Sequence, residues 1–543
     1  MRSLFTLVWR ARCVRAALTG LSSCLFLCLC LFPAKSIASA DDLVVNISSG
    51  SLQGATRPLG GAEFLGIPYA QPPVGDLRWR EPLPAKPWTG MRDATTFGAP
   101  CAQAILGDWN RRDAETSEED CLFLNVMTPV WPTKKPLPVM VWLHGGANAG
   151  GTASSALYKD GTLVQHGIVL VTVNYRLSIF GFLAHRALTQ ESPRHSSGNY
   201  ALSDQILALH WVHDNIAKFG GDPANVTVFG QSAGATDAGL LMASPLAKDL
   251  FQRVIAESGS TLSDAPVRSL AEAEQANEKL LASLKLPAGD ELKDLRERSV
   301  RELLEATAKQ DPQGFPIENP IIDGWVLPRS PVEVFAAGQQ APVALLIGTT
   351  TREFGMAAPA DEVRKFIQSV TGNLGERASI LYGLANGGTG NVDPMYGSAG
   401  DQWFADLVFR CPSTTEAAWH AAANHPVYEY EFQHAIPGQE AQGAVHSADL
   451  PYVFGYFPKQ GNISGNFGET DFKLADLIET YWTNFAKTGD PNSGGVPKWP
   501  EFGGSQAYIK FTQDGRVATA TGLRRAHCDL YREVLKERLN GQH

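Results

Sequence analysis

The sequence has few cysteines and lacks the common metal- and nucleotide-binding patterns. Eight cysteines occur among 543 residues, and none forms a C-x-x-C pair. No histidines have the spacing of a zinc site, and no G-x-G-x-x-G follows a strand-like run. We therefore expect neither a metal ion nor another cofactor, so that the chemistry must come from the side chains themselves.

Positive charge is also scarce. The chain has 46 Lys and Arg residues against 56 Asp and Glu residues, which gives a formal net charge of −10. An acidic surface repels a phosphate backbone, so we expect no nucleic-acid partner. The remaining composition, with 44% hydrophobic and 19% charged residues, is typical of a globular protein.

Long apolar runs are missing. Residues 24–32, near the N-terminus, form an apolar run that is too short to span a bilayer, which takes about 20 apolar residues. Arginines precede this run, and a small-residue sequence ending at Ala40 follows it. We interpret residues 1–40 as a secretory signal peptide and not as a membrane anchor, and residues 41–543 as a single domain without a stable membrane span. The protein would then be secreted or periplasmic. Cleavage would remove five positive charges and no acidic residue, and the net charge would become −15.

Four cysteines remain after this cleavage, and an even number in an exported chain favours disulfides. They allow three pairings. A bond between Cys101 and Cys121 would close a short loop, and a bond between Cys411 and Cys528 would tie the C-terminal segment to the body of the protein.

Strand-like apolar runs alternate with segments of helical spacing. This alternation predicts an α/β fold with a mostly parallel central sheet and helices on both faces. A charged, helix-prone stretch, residues 265–312, is interpreted as an insertion over the sheet. The predicted strands are residues 139–143, 168–173, 226–229, 344–347 and 427–432, and the predicted helices include residues 204–219, 474–488 and 524–539.

The stretch with the most chemical information is the pentapeptide from Gly230 to Gly234, with Ser232 at its centre. A predicted strand precedes it and a helix-compatible segment follows it. A serine between two glycines at a strand-to-helix turn is how an α/β-hydrolase presents its nucleophile. The pattern alone is weak, because a glycine-rich chain of this length can contain it by chance.

A serine nucleophile needs a histidine base and a carboxylate that orients the histidine. In this fold the acid follows the serine, at the carboxyl end of a later strand. Glu353 fits this position, although it could instead pair with Arg352. His434 and His446 both lie beyond the predicted strand at 427–432, and their spacing does not choose between them.

An oxyanion hole is better marked. Predicted strand 139–143 is followed by a His-Gly-Gly-Ala segment, residues 144–147. Such a loop lets backbone N–H groups approach a developing negative charge without side chains in the way. The candidate donors are Gly146, Ala147 and Ala233.

Four segments together resemble the type-B carboxylesterase family, which includes the cholinesterases. They are residues 64–79, 119–125, 220–234 and 482–492. The resemblance implies an α/β-hydrolase fold, with Ser232 as nucleophile, Glu353 as acid and His446 in preference to His434 as base. It also implies the three oxyanion donors and the Cys101–Cys121 and Cys411–Cys528 disulfides.

The chain departs from the family near its nucleophile. Many relatives have glutamate where Gln231 stands, and that negative charge attracts cationic choline esters. Trp109 lies in the loop that carries an aromatic residue in those relatives, where it would tune substrate choice or form a wall of the site. Ala147 and Ser178 replace residues that are often glycine. The missing charge at Gln231 argues against a choline ester as the substrate.

We therefore expect an exported serine carboxylesterase that hydrolyses small-molecule esters through an acyl-enzyme. The alternatives are an amidase, a carbamate hydrolase or a polyester hydrolase with the same triad. An adhesion or binding protein of this fold is a further alternative, but it would lack one or more of the three catalytic residues.

Overall fold

The computed structural model describes residues 43–263, 267–287, 289–308 and 319–541. The predicted signal peptide lies outside these residues. The strands of the described part are β1 Val44–Ile47, β2 Gly50–Gln53, β3 Ala55–Thr56, β4 Ala62–Pro68, β5 Met91–Asp93, β6 Phe123–Thr128, β7 Leu137–Leu143, β8 Val169–Val173, β9 Gly221–Gln231, β10 Arg253–Glu257, β11 Ala344–Thr350, β12 Val427–Phe432, β13 Ala507–Phe511 and β14 Val517–Thr521.

Helices connect most of these strands. They are α1 Arg111–Glu115, α2 Ala156–Lys159, α3 Ser178–Phe182, α4 Arg186–Glu191, α5 Tyr200–Asn215, α6 Ala233–Ala243, α7 Leu270–Leu281, α8 Glu291–Glu297, α9 Val300–Ala308, α10 Pro331–Ala336, α11 Ala360–Thr371, α12 Gly375–Leu381, α13 Ala399–Ala405, α14 Cys411–Ala422, α15 Leu450–Val453, α16 Glu469–Thr488 and α17 Arg525–Gly541. In the described part of the chain, no helix is both long and apolar enough to cross a membrane.

Eleven strands form one large mixed sheet in the order β14-β13-β12-β11-β10-β9-β7-β8-β6-β4-β3. The central pairings, from β8 through β7 and β9 to β13, are all parallel. The pairings at both edges are antiparallel. A smaller sheet contains β1, β2 and β5. The parallel centre matters for function because the carboxyl ends of its strands meet at one edge, where ligands bind in open α/β sheets.

Both faces of the large sheet are buried. On β7, Val139, Val141 and Leu143 pack in one hydrophobic cluster, whereas Met140 and Trp142 pack in another on the opposite face. Side chains alternate across a strand, so a strand covered by helices on both sides must be apolar at every position. The predicted fold class is therefore confirmed. The apolar run that predicted β7 is continuous because the strand is buried on both faces.

Element boundaries differ from the predicted ones by a few residues. Strand β9 runs from Gly221 to Gln231 and not from 226 to 229, and helix α5 begins at Tyr200, four residues earlier than predicted. Both extensions contain polar residues that apolar periodicity does not detect. The described part of the predicted insertion contains helices α7, α8 and α9.

Two disulfides are present, Cys101–Cys121 and Cys411–Cys528. The first closes the loop that contains α1. The second joins the start of α14 to α17, and so ties the C-terminal helix to the body of the protein. These are the two pairings that the family resemblance implied.

Candidate active site

Ser232 lies at the sharp turn between β9 and α6. Its φ of 57° and ψ of −125° fall outside the regions that residues other than glycine usually adopt. Such a conformation costs about 1–3 kcal/mol and persists where the surroundings enforce it. The Ser232 N–H donates to the carbonyl oxygen of Glu257 at 2.8 Å, and its own carbonyl accepts from Ala235 and Thr236 at 3.0 Å. The turn is therefore held from both sides.

Both glycines of the pentapeptide stand where the backbone leaves no room for a Cβ atom. A Cβ on Gly230 would lie 2.5 Å from the Gly234 carbonyl carbon, and a Cβ on Gly234 would lie 2.1 Å from the Leu143 carbonyl oxygen. Real Cβ atoms do not make such contacts with backbone. The sequence interpretation of a strained strand-to-helix turn thus has a direct steric basis.

Glu353 follows β11 and is buried. Its Oε1 accepts from the Thr350 N–H at 2.8 Å, and its Oε2 contacts Nδ1 of His446. Burial alone would raise the pKa of Glu353, but the charge and hydrogen bond of His446, together with the Thr350 N–H, hold it below the ordinary value. Arg352 points away and donates to the carbonyl oxygen of Met395, so the alternative pairing between Glu353 and Arg352 does not occur.

The loops that carry Glu353 and His446 are joined through their backbones. The Arg352 N–H donates to the carbonyl oxygen of Ala444 at 2.8 Å. On the other side of the Glu353 loop, buried Arg410 donates to the carbonyl oxygen of Thr351 at 2.9 Å. The structure thus brings Glu353 to His446. His434 lies elsewhere, and its Nε2 is 2.9 Å from a carboxylate oxygen of Asp471.

The side-chain amide of Gln231 contacts the second nitrogen of the His446 ring. Its side-chain Nε2 lies 3.0 Å from His446 Nε2. A carboxylate can only accept, so Nδ1 is the donor to Glu353, and an imidazole of that tautomer has a lone pair on Nε2 that can accept from this amide. In the part of the chain that the structure describes, Gln231 and not Ser232 is the hydrogen-bond partner of Nε2. Ser232, the predicted nucleophile, is the next residue along the chain.

The segment after β7 forms a tight loop beside the elbow, which is the strand-to-helix turn of residues 230–234. Gly146, Ala147 and Asn148 all have positive φ, at 115°, 56° and 55°. A Cβ on Gly145 would lie 3.1 Å from the Ser232 Cβ, so this loop passes directly beside Ser232. Among the described residues, the N–H groups of Gly146 and Ala147 donate to no protein acceptor, and the Ala233 N–H is at the start of a helix, where donors are unpaired. The described part of the chain therefore does not itself use the N–H groups of the three predicted donors.

Asn148 anchors this loop to α6, the helix that follows Ser232. Its Nδ2 donates to Asp237 at 3.1 Å, and Gln205 of α5 donates to the same carboxyl group at 2.6 Å. The carbonyl oxygen of Asn148 accepts from the Ser178 N–H at 2.7 Å. Burial raises the pKa of Asp237 to about 6, although the hydrogen bonds from Gln205 and Asn148 lower it in part. These contacts fix the loop relative to Ser232.

Trp109 lies against the outside of the same loop. Its Cη2 is 3.2 Å from the position of a Cβ on Gly146 and 3.1 Å from that of a Cβ on Gly150, and its side chain is 47% exposed. Gln103 of the first disulfide loop exchanges hydrogen bonds with the backbone of Gly151 at 2.8 and 2.9 Å. The Cys101–Cys121 loop therefore positions Trp109 as a wall beside the predicted oxyanion hole.

Two phenylalanines flank the imidazole of His446. The ring centroid of Phe354 lies 4.4 Å from that of His446, and the ring centroid of Phe409 lies 5.0 Å from it. Phe409 is buried, whereas Phe354 is 54% exposed. Phe409 belongs to a π-helical turn, Asp406–Arg410, of a kind that is frequent at functional sites.

Several of these residues were missed by the sequence analysis. Phe354 directly follows Glu353, and Asn148 directly follows the predicted oxyanion segment, so adjacency was a usable signal for both. Asp237 and Phe409 carry no motif, and tertiary contacts alone bring them to the site. No group of three or more His, Cys, Asp or Glu side chains in the described part could hold a metal ion.

Comparison with known proteins supports the same interpretation of the chain. The family profile described as "Carboxylesterase family" matches residues 41–531. The chain is 36% identical to fumonisin B1 esterase of Sphingopyxis macrogoltabida over 483 residues, which cover 86% of each protein. It is 35% identical to carboxylesterase 1E of Mus musculus over 503 residues, 85% of this chain and 87% of that protein. Liver carboxylesterase of Sus scrofa is 34% identical over 513 residues, which cover 86% of this chain and 88% of that protein. The matched span includes every residue of the site described above.

Proposed function

Since the chain belongs to the carboxylesterase family and is a carboxylic ester hydrolase, we propose that it is an exported serine esterase with Ser232, Glu353 and His446 as its catalytic triad. The contacts of His446 carry this proposal. One nitrogen of its ring meets the buried carboxylate of Glu353, and the other faces the elbow, where it bonds the residue before Ser232.

The first half of the reaction forms an acyl-enzyme. Substrate binding lets the Ser232 hydroxyl replace the Gln231 amide at His446 Nε2. Ser232 Oγ then bonds the ester carbonyl carbon as its proton passes to His446 Nε2. The ester C–O bond breaks, and the same proton moves to the leaving oxygen, which departs as a neutral alcohol. Glu353 keeps the Nδ1 proton in place and stabilises the imidazolium.

The negative oxygen of the tetrahedral intermediate is stabilised by the backbone N–H groups of Gly146, Ala147 and Ala233. These donors are fixed before the reaction, because Asn148 and Asp237 hold the loop to the helix that carries Ala233. Water then attacks the acyl-enzyme by the reverse roles of the same groups. His446 takes a proton from the water and returns it to Ser232 as the carboxylic acid leaves.

Export is supported by the two disulfides, because such bonds persist in oxidising compartments. The predicted signal peptide at residues 1–40 is the second support.

Matched pairs of esters and amides test the reaction class. With the same acyl group and the same alkyl substituent, we expect the ester to be hydrolysed at least about 100-fold faster than the amide, since the amide carbonyl is less electrophilic and its nitrogen must be protonated before it can leave. Initial rates over several acyl lengths give the comparison. Equal rates for both members of the pairs would favour an amidase instead.

Replacement of Gln231 by glutamate should make the enzyme favour cationic substrates. A carboxylate beside His446 adds attraction for a positive charge in a partly dry site, and we expect kcat/KM for a choline ester to rise about tenfold relative to its uncharged 3,3-dimethylbutyl isostere. The carboxylate also favours the protonated imidazole, so the acidic limb of the kcat/KM profile should move to higher pH.

Gln368→Glu is the matched control for that variant. Gln368 is exposed on α11, so the change adds the same charge to the protein away from the site and should leave the substrate ratio and the pH profile unchanged. An unaltered ratio in the Gln231→Glu enzyme would show that position 231 does not tune substrate charge.

A further inference from the structure

A large apolar side chain beside the imidazole of His446 is exposed without a structural need. Phe354 is 54% exposed, although it directly follows Glu353 and its ring lies against the imidazole of His446. A phenylalanine that served only to pack the base would gain more free energy by being buried, as Phe409 is on the same imidazole. Its open face is therefore available to a ligand.

The proton path determines which part of an ester reaches that face. In the proposed mechanism His446 Nε2 must come within about 2.6–3.2 Å of the leaving oxygen to protonate it. The first carbon atoms of the alcohol then lie beside the imidazole. The acyl chain is attached to the carbonyl carbon at Ser232 and is not constrained to lie there.

Burial shows the side of the imidazole from which the alcohol must approach. Gln231, which contacts Nε2, is 3% exposed, and Phe409 is 7% exposed. Of the four side chains that the described part of the chain places against the ring, Phe354 alone faces solvent, since Glu353 is also buried. An alcohol group on Nε2 therefore has room on the Phe354 side.

We propose that Phe354 forms the wall of the leaving-group subsite and selects esters of flat, uncharged aromatic alcohols such as benzyl alcohol. This inference rests on the proposed function, because it uses His446 as the proton donor to the leaving oxygen. Aromatic pairs in offset or edge-to-face contact gain more than their buried area alone supplies. Gln231 adds no charge to this part of the site, and that suits a neutral alcohol.

The test is a series of butyrate esters that differ in the alcohol alone: ethyl, cyclohexylmethyl and benzyl. All of them give the same acyl-enzyme, so kcat/KM reports the steps in which the alcohol is still bound. In the Phe354→Ala enzyme we expect kcat/KM for benzyl butyrate to fall about tenfold relative to ethyl butyrate, with the cyclohexylmethyl ester between them. Phe354→Tyr keeps the aromatic face and should keep the benzyl preference.

A second series varies the acyl group on ethanol, from acetate to hexanoate, and should keep its relative kcat/KM values within about twofold in Phe354→Ala. Phe472→Ala is the matched control, since Phe472 is 51% exposed on α16 and contacts Phe457 away from the site. An equal loss on ethyl and benzyl esters would mean that Phe354 merely supports His446, and a change confined to the acyl series would assign Phe354 to the acyl side. Either result overturns the inference. Both leave the proposed function intact, since that depends on turnover by Ser232 and not on these ratios.

Discussion

The Ser232→Ala variant is expected to lose ester hydrolysis by a factor of about 10⁴ or more while it folds normally. Without the hydroxyl no acyl-enzyme can form, and the remaining oxyanion donors and His446 supply only weak catalysis by water. The fold should survive, because alanine keeps the Cβ of serine and the Ser232 hydroxyl makes no hydrogen bond that supports the described part of the chain. Hydrolysis of a chromogenic butyrate ester gives the rate, and thermal unfolding gives the stability.

Ser232→Gly separates catalysis from strain at the same position. Glycine adopts a φ of 57° without the cost that serine or alanine has there. We expect this variant to be as inactive as Ser232→Ala but more stable, by about 1 kcal/mol. Residual activity within tenfold of the unmodified enzyme in either variant would contradict the assignment of Ser232.

The Glu353→Gln variant should lose activity by a factor on the order of 10⁴, although its side chain has nearly the same shape. The Thr350 N–H donates to Oε1 of Glu353 and will hold the amide oxygen of the new glutamine. The amide NH₂ group then faces His446 Nδ1 and forces the ring proton onto Nε2. A ring with that proton cannot accept the proton of Ser232. The loss should appear in kcat for all esters and should be independent of the alcohol.

Glu362→Gln is the matched control for the acid. Glu362 is exposed in the first turn of α11, so the change removes the same charge away from the site and should leave kcat unchanged. If Glu353→Gln cost less than about tenfold, Glu353 would not be the residue that orients His446.

Much of the fold could be predicted because its signals are local. The continuous apolar runs at β7 and β11 follow from burial on both faces of a sheet. The glycines of the elbow follow from backbone contacts too close for a Cβ, since Gly234 faces the Leu143 carbonyl at the end of the neighbouring strand. Such constraints are visible in residue types and in their order along the chain.

The rest of the site depends on contacts between segments that are distant in sequence. His434 and His446 both follow β12, but in the folded chain a different carboxylate contacts each of them. Asp471 on α16 binds His434, whereas Glu353 reaches His446. Phe409 comes to the imidazole through a π-helical turn that has no sequence signature. The contact between Gln231 and His446 likewise needs the folded chain.

The role of Ser232 as nucleophile is tested most directly by locating the residue that a fluorophosphonate probe labels. Phosphonylation of the nucleophile needs the activated hydroxyl, the base and the oxyanion donors together, and peptide mapping by mass spectrometry locates the adduct. We expect one adduct, on Ser232 of the folded enzyme, which forms much more slowly in Glu353→Gln and is absent in Ser232→Ala. An unlabelled enzyme, or an adduct on another residue that persists in Ser232→Ala, would contradict it.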